Sequence, residues 1–287
     1  MDEPPSGPIL VVKIFLITIS YIKMTDCLFL GTRGSAPCLR PTHKYLGGET
    51  SSVQVSGEKK RVFIDAGTGL NNANPSQSSD FILLSHLHID HVLGLADFAA
   101  RKKKGVLHIL SAIADSGQEL EALIGRVYGP PGYPVSIRQI YPSVKYGAIS
   151  KSQASPIGGF LVTPLALNHP GGSFGVLVKD PDTGQSLAYI SDHEHGSDKD
   201  ARLLEQCRGL DLIIWDSSYD DRAFTKYRGW GHSTWQQGLA FAQKCHAKAV
   251  ALTHHDFTRN DEVARQIKDE LEGTIGLLAK DGLTLTL

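Results

Sequence analysis

Residues 85–91 read SHLHIDH, which places His86, His88, Asp90 and His91 within six positions, directly after the apolar run FILL. Imidazoles and carboxylates crowded this closely gain little unless they share a ligand, and the ligand that suits both is a metal ion. In an extended segment residues i and i+2 point the same way, so His86 and His88 can reach one cation. Asp90 and His91 then turn towards a second position. Three further candidates end apolar runs of their own: His169 in LALNHPGGS, Asp192 in AYISDHEHG, and His254 in ALTHHDF, where His255 competes for the role. A strand end holds the backbone rigid while its side chains converge on a pocket. Five histidines and two carboxylates form a nitrogen and oxygen set suited to zinc, with manganese or iron as alternatives.

The elements that must position these residues follow from the apolar spacing. CLFLG, SSVQVSG and RVFIDAG read as three successive strands. DFILLSH, almost wholly apolar, reads as a strand buried on both faces. VLGLADFAARKKK has helical spacing, VLHIL is a strand, and SAIADSGQELEALIGRVYG is a second helix. Residues 129–150, rich in Pro, Gly and Tyr, read as an ordered loop or lid. The second half repeats the rhythm with strands at FLVTPLAL, SFGVLVKD, SLAYISD and LDLIIWD. A helix (TWQQGLAFAQKCH), a strand (AVALTHH), a helix (NDEVARQIKDELEG) and a terminal LTLTL strand complete it. Two such halves suggest two packed sheets with helices outside.

The pattern H-x-H-x-D-H, followed in order by spaced His, Asp and His, resembles the metallo-β-lactamase superfamily across Met24–Leu287, including FIDAG at Phe63–Gly67. The resemblance implies an α/β (α+β) protein built as an αββα four-layer sandwich, with two divalent metal ions at one edge. By position, His86, His88 and His169 would hold the first metal. Asp90, His91 and His254 would hold the second, and Asp192 would bridge them. Two metals about 3.5–4 Å apart can share a hydroxide and polarise an ester oxygen, so the implied reaction is metal-assisted hydrolysis.

Further downstream, IIWDSSYDD and GWGHSTW are similar to the phosphodiesterase branch of that superfamily, which includes tRNase Z. There His232 would contact the scissile phosphate or aid the leaving oxygen and Asp216 would orient it, making them catalytic together with Asp90. The stretches VTPLALNHPGGSFGVLV and GTRGSAP…GGETSSVQV most resemble small cyclic-phosphate and cyclic-nucleotide phosphodiesterases. Some of those carry an early cysteine-rich zinc site, whereas this segment has only Cys38. A tRNase Z should extend a Gly-rich, basic arm between the third and fourth metal motifs, but only 22 residues separate His169 from Asp192. The expected substrate is therefore a small cyclic phosphodiester, most simply a 3′,5′-cyclic nucleotide. A tRNase Z-like endoribonuclease, or a thioesterase or lactamase on the same site, is the alternative. Thr50, Ser51, His195 and Ser233 are candidate substrate contacts. Tyr128, Tyr133 and Tyr141 suit a dimer interface, and relatives are commonly homodimers.

The 287 residues carry a net charge of −1, and 41% are hydrophobic. With a pI near 6.9 no global basic field attracts nucleic acid, and no stable complex with it is expected. The run RKKK at Arg101–Lys104 reads as a solvated turn. Four scattered cysteines argue against a disulfide scaffold and fit a reducing cytoplasm. Ile9–Ile22 is apolar, but spans only 14 residues with Lys13 inside and follows an acidic start. Neither a spanning helix nor a signal peptide has that form. Residues 1–23 read as an extension, with an edge element or anchor as alternatives, ahead of a single domain at residues 24–287.

Overall fold

The computed structural model describes residues 24–287; the expectation of an N-terminal extension at 1–23 lies outside the described residues. The apolar runs form two sheets. The first takes β1 (Asp26–Gly31), β2 (Ser52–Gly57), β3 (Lys60–Ile64), β4 (Asp80–Leu84), β5 (Leu107–Ser111) and β6 (Val144–Ala148). The second takes β7 (Ser155–Ile157), β8 (Phe160–Leu167), β9 (Ser173–Lys179), β10 (Ser186–Ile190), β11 (Leu212–Asp216), β12 (Ala249–Thr253) and β13 (Gly276–Leu278). A final strand, β14 (Thr284–Thr286), returns to pair antiparallel with β1. The orders are β14-β1-β2-β3-β4-β5-β6 and β13-β12-β11-β10-β9-β8-β7. In each sheet, antiparallel pairing passes into parallel pairing, from β3 to β6 and from β10 to β13.

Alternation along the strands separates three layers of core. Val62, Ile64 and Leu83 meet Val176, Tyr189 and Ile214 between the sheets. Their neighbours Phe63, Ile82 and Leu84 face outward, where they pack under α1 (Leu95–Arg101) and α2 (Gly117–Val127). On the other side Ile213, Trp215 and Leu252 lie under α4 (Asp200–Gln206), α6 (Trp235–Lys244) and α7 (Asp261–Glu270). Strands buried on both faces must be apolar throughout, and this is why FILL and LIIW lack polar alternation. The result is an αββα sandwich. Each fully buried Leu, Ile or Phe contributes about 1.5–3 kcal/mol, so the sheet ends that carry the chemistry rest on a stiff base.

Several elements differ from the sequence reading. Within 129–150, α3 (Ile137–Ile140) is a four-residue helix closed by a Ser136–Gln139 capping box, and β6 pairs parallel with β5. The segment is thus mainly an ordered loop, as expected, that also carries a short helix and an edge strand not read from the sequence. The short α4 and α5 (Asp221–Tyr227), and strands β7 and β13, were not anticipated either. Lys102, from the supposedly solvated basic run, is buried and paired with Asp80 at 2.8 Å. Between His169 and Asp192 the chain forms the β9–β10 hairpin, as expected. Among the described residues, no helix is long and apolar enough to cross a membrane.

Candidate metal centre

The ends of β4, β8, β10, β11 and β12 meet at one edge of the sandwich, the usual place for a site in sheets with parallel strands. They bring together His86, His88, His169 and Asp192 as one group of donors and Asp90, His91 and His254 as another. Asp192 faces both. Its Oδ1 lies 3.9 Å from His86 Nε2 and 3.6 Å from His169 Nε2, and its Oδ2 lies 2.9 Å from His91 Nε2 and 3.2 Å from His254 Nε2. His88 Nδ1 stands 3.0 Å from His169 Nε2 on the exposed side, so the site opens there. Asp192 and His254 take φ values of 58° and 56°, left-handed conformations that cost energy and are retained where surrounding structure demands them.

A set of outer contacts fixes which nitrogen each ring presents. Asp65, also at positive φ (58°), accepts from Ser85 N (2.8 Å), Ser85 Oγ (2.9 Å), Tyr189 OH (2.9 Å) and His91 Nδ1 (2.7 Å). Because Ser85 Oγ spends its proton on Asp65, it accepts from His86 Nδ1 at 3.0 Å. By the same reasoning Ser218 Oγ donates to Asp216 (2.8 Å) and accepts from His254 Nδ1 (3.0 Å). His169 Nδ1 donates to Gly231 O at 2.8 Å. Four rings therefore turn Nε2 inward, as metal-binding histidines do. Gly231 must be glycine: its φ is +86°, and a Cβ would lie 2.2 Å from His169 Nδ1.

Electrostatics divides the histidines. Burial and neighbouring imidazoles push His86 down, and burial likewise lowers His88 and His169. Burial opposes a proton on His254 too, but Asp192, Asp216 and Asp90 outweigh it and raise its pKa to about 9. His91 rises for the same reason, through Asp192, Asp90 and Asp65. The residues fit divalent cations on a direct test. His86 Nε2 and His91 Nε2 are buried and make no aligned hydrogen bond, although His91 Nε2 is near two carboxylates. Buried ring nitrogens left this way are costly, and a cation in each donor group would resolve them.

Beside the carboxylates, His232 Nδ1 is bound to Asp216 Oδ2 at 2.8 Å, and the same oxygen accepts from Asp192 N at 3.0 Å. Burial would lower the pKa of His232, but the charge and hydrogen bond of Asp216 raise it. The helix cap beyond it is Thr234. His255 is turned away, with Nε2 on Ala279 O (2.8 Å) and Nδ1 against Arg259 (2.9 Å).

The remaining candidates lie outside this donor set. Thr50 and Ser51 are buried and bond inward, Thr50 with Thr68 and Ser51 with Arg33 O. Ser233 is also buried; its Oγ donates to His193 O and accepts from His195 N. His195 Nδ1 stands 2.9 Å from Asp200, beside Trp215. Tyr128 OH and Tyr141 OH donate to Val92 O and Gly105 O of their own chain. Asp65 and Ser218 escaped the sequence reading, whereas Glu194, next but one to Asp192, was open to it as a possible substrate contact. Of the two that escaped, only Asp65 left a trace, as the acid ending an apolar strand in FIDAG. A groove of about 410 Å³ opens beside His86 and His88, whereas a larger cavity of about 710 Å³ around Lys60 and Arg61 touches none of these residues.

A family model for the beta-lactamase superfamily domain matches residues 60–255, more than half of the chain. The chain belongs to that superfamily. It is a hydrolase with the metallo-β-lactamase fold, which implies divalent-metal binding. Among curated relatives, the uncharacterized protein Rv1339 of Mycobacterium tuberculosis is 26% identical over 225 residues, 77% of this chain and 79% of its own. A ribonuclease Z of Bradyrhizobium diazoefficiens is 24% identical over 82% of this chain and 90% of its own. Two solved structures share the fold: the metallo-beta-lactamase fold protein YhfI from Bacillus subtilis and a diphosphatase from the PhnP family. YhfI has a TM-score of 0.69 at 18% identity, covering 92% of this chain and all of its own. The diphosphatase also has 0.69, at 20% identity, covering 91% and 97%.

Proposed function

We propose that the protein hydrolyses small cyclic phosphodiesters, 3′,5′-cyclic nucleotides first among them, with two divalent cations, zinc by donor chemistry. His86, His88, His169 and Asp192 would hold one cation, and Asp90, His91, His254 and Asp192 the other. Bound there, they would supply a water of lowered pKa as nucleophile and neutralise the phosphate oxygens. The observation that carries the phosphodiesterase reading is the His232–Asp216 pair at 2.8 Å, tied through Asp216 Oδ2 to the backbone of Asp192. The Asp216 carboxylate, through its charge and its hydrogen bond, favours the protonated ring of His232. Nδ1 is taken up by Asp216, so Nε2 can give its proton to the leaving alkoxide. Asp90, held by Ser35 N at 2.7 Å, would orient the attacking water.

The β9–β10 hairpin favours a small substrate, since no arm stands between His169 and Asp192 to grip a folded RNA. The four unpaired cysteines suit a reducing cytoplasm. The reading is tested by offering the full chain, loaded with Zn²⁺ or Mn²⁺, a panel of 3′,5′- and 2′,3′-cyclic nucleotides beside a precursor tRNA. Ring opening of a cyclic nucleotide, with the RNA left whole, is the expected result. Cleavage of the RNA alone would establish the ribonuclease reading in its place.

A further inference from the structure

A cavity of about 240 Å³ lies between the β8 end and the turn ahead of His232, lined by Asn168, His169, Pro170, Glu194, Gly229 and Gly231. One wall, His169, belongs to the metal centre. Glu194 belongs to none of the donor groups, yet it is anchored at several points. Its backbone N donates to Asn168 O (2.9 Å), and Asn168 Nδ2 donates to its carbonyl (3.0 Å). Its Oε2 alone accepts from both Gly229 N (2.7 Å) and Gly231 N (2.9 Å). Oε1 accepts no hydrogen bond among the described residues. The turn so pinned presents Trp230 between two glycines at positive φ, 61% exposed against the Tyr227 ring.

A carboxylate in this position repels the substrate's phosphate towards the cation side and draws a neutral hydrogen-bond donor to itself. We infer that the cavity is a sugar subsite, in which Glu194 Oε1 accepts from a hydroxyl next to the cyclic phosphate. This rests on the proposed phosphodiesterase activity and narrows its substrate class to ribose phosphodiesters. In a 3′,5′-cyclic nucleotide the only such hydroxyl is the 2′-OH. Glu194 also positions the turn whose Gly231 O orients His169, and the two roles are separable.

Glu194→Gln keeps both amide bonds through its single oxygen, but replaces the free charged acceptor with an NH₂ group. A hydrogen bond to a charged group is worth enough to set a ribo-over-deoxyribo preference of about tenfold or more in kcat/KM. We expect that preference in the wild type on 3′,5′-cyclic AMP and its 2′-deoxy analogue, falling towards unity in Glu194→Gln. Glu194→Ala, which also frees the turn, should lower kcat on both. An unchanged preference in Glu194→Gln overturns the subsite. If the wild type opens neither nucleotide, the 3′,5′-cyclic nucleotide reading fails and binding decides the subsite. Trp215 and Trp235 are buried, so acrylamide quenching reports on Trp230. Stronger protection by AMP than by 2′-deoxy-AMP upholds the subsite, and equal or absent protection overturns it.

Discussion

Asp65 illustrates how much of this centre lies one bond behind its donors. It takes four hydrogen bonds and through them sets the ring orientation of both His91 and His86. Asp65→Asn keeps the left-handed backbone tolerable, since Asn also adopts it, but presents an amide where His91 needs a charged acceptor. Metal affinity should fall about 10–100-fold with the fold intact, measured by competition with a chelator. His232→Ala should leave metal content unchanged and lower kcat about 10²–10⁴-fold on a substrate with an alkoxide leaving group. The loss should shrink on a p-nitrophenyl ester, whose leaving group needs no proton. An equal loss on both would remove His232 from that role. The contiguous SHLHIDH motif was open to sequence reasoning because spacing alone aligned it. Asp65 and Ser218 were not, because their partners stand 20–26 and 36 positions away.

At the scale of elements, β4 delivers the motif, and its first residue is pinned by a buried charge cluster. Asp80 is bound by Lys102 and Arg61, each at 2.8 Å, and Lys102 is fully enclosed. Burial raises the pKa of Asp80, but these two partners outweigh it and the net shift is downward. A depressed folded pKa adds stability above the unfolded value of about 3.9, and that stability is lost as pH falls below it. Asp80→Asn strands the Lys102 charge and should cost about 3–5 kcal/mol in urea unfolding at neutral pH. Its margin below the wild type should narrow in acid. The sequence hid this pair, because a Lys in a basic run reads as solvated until its neighbours in space are known. It also hid β6, whose VKYGA has too few apolar residues to mark a strand without β5 beside it. β14 was visible as a strand, but its partner β1 lies at the opposite end of the domain, with Cys27 facing Leu285, and no local pattern links the two.

For the molecule as a whole, the two sheets place candidate ligands from both halves of the chain on one edge. His86, His88, Asp90 and His91 follow β4 of the first sheet, whereas His169, Asp192 and His254 follow β8, β10 and β12 of the second. Cations held by these donors would tie the sheets together. Chelation should therefore lower the melting temperature, and restored Zn²⁺ should raise it in a concentration-dependent way. The αββα layering was legible because buried strands and amphipathic helices alternate in the sequence, whereas the register between the halves depends on contacts that only folding creates. The most direct test is to measure metal content and turnover of bis(p-nitrophenyl) phosphate in the same samples of the full chain, wild type and Asp192→Ala. Asp192 faces both donor groups, so its removal should lower the metal content below that of the wild type and reduce turnover about 10³-fold or more, as loss of several kcal/mol of charge stabilisation requires. Wild-type turnover in Asp192→Ala, or in fully chelated protein, would contradict the account.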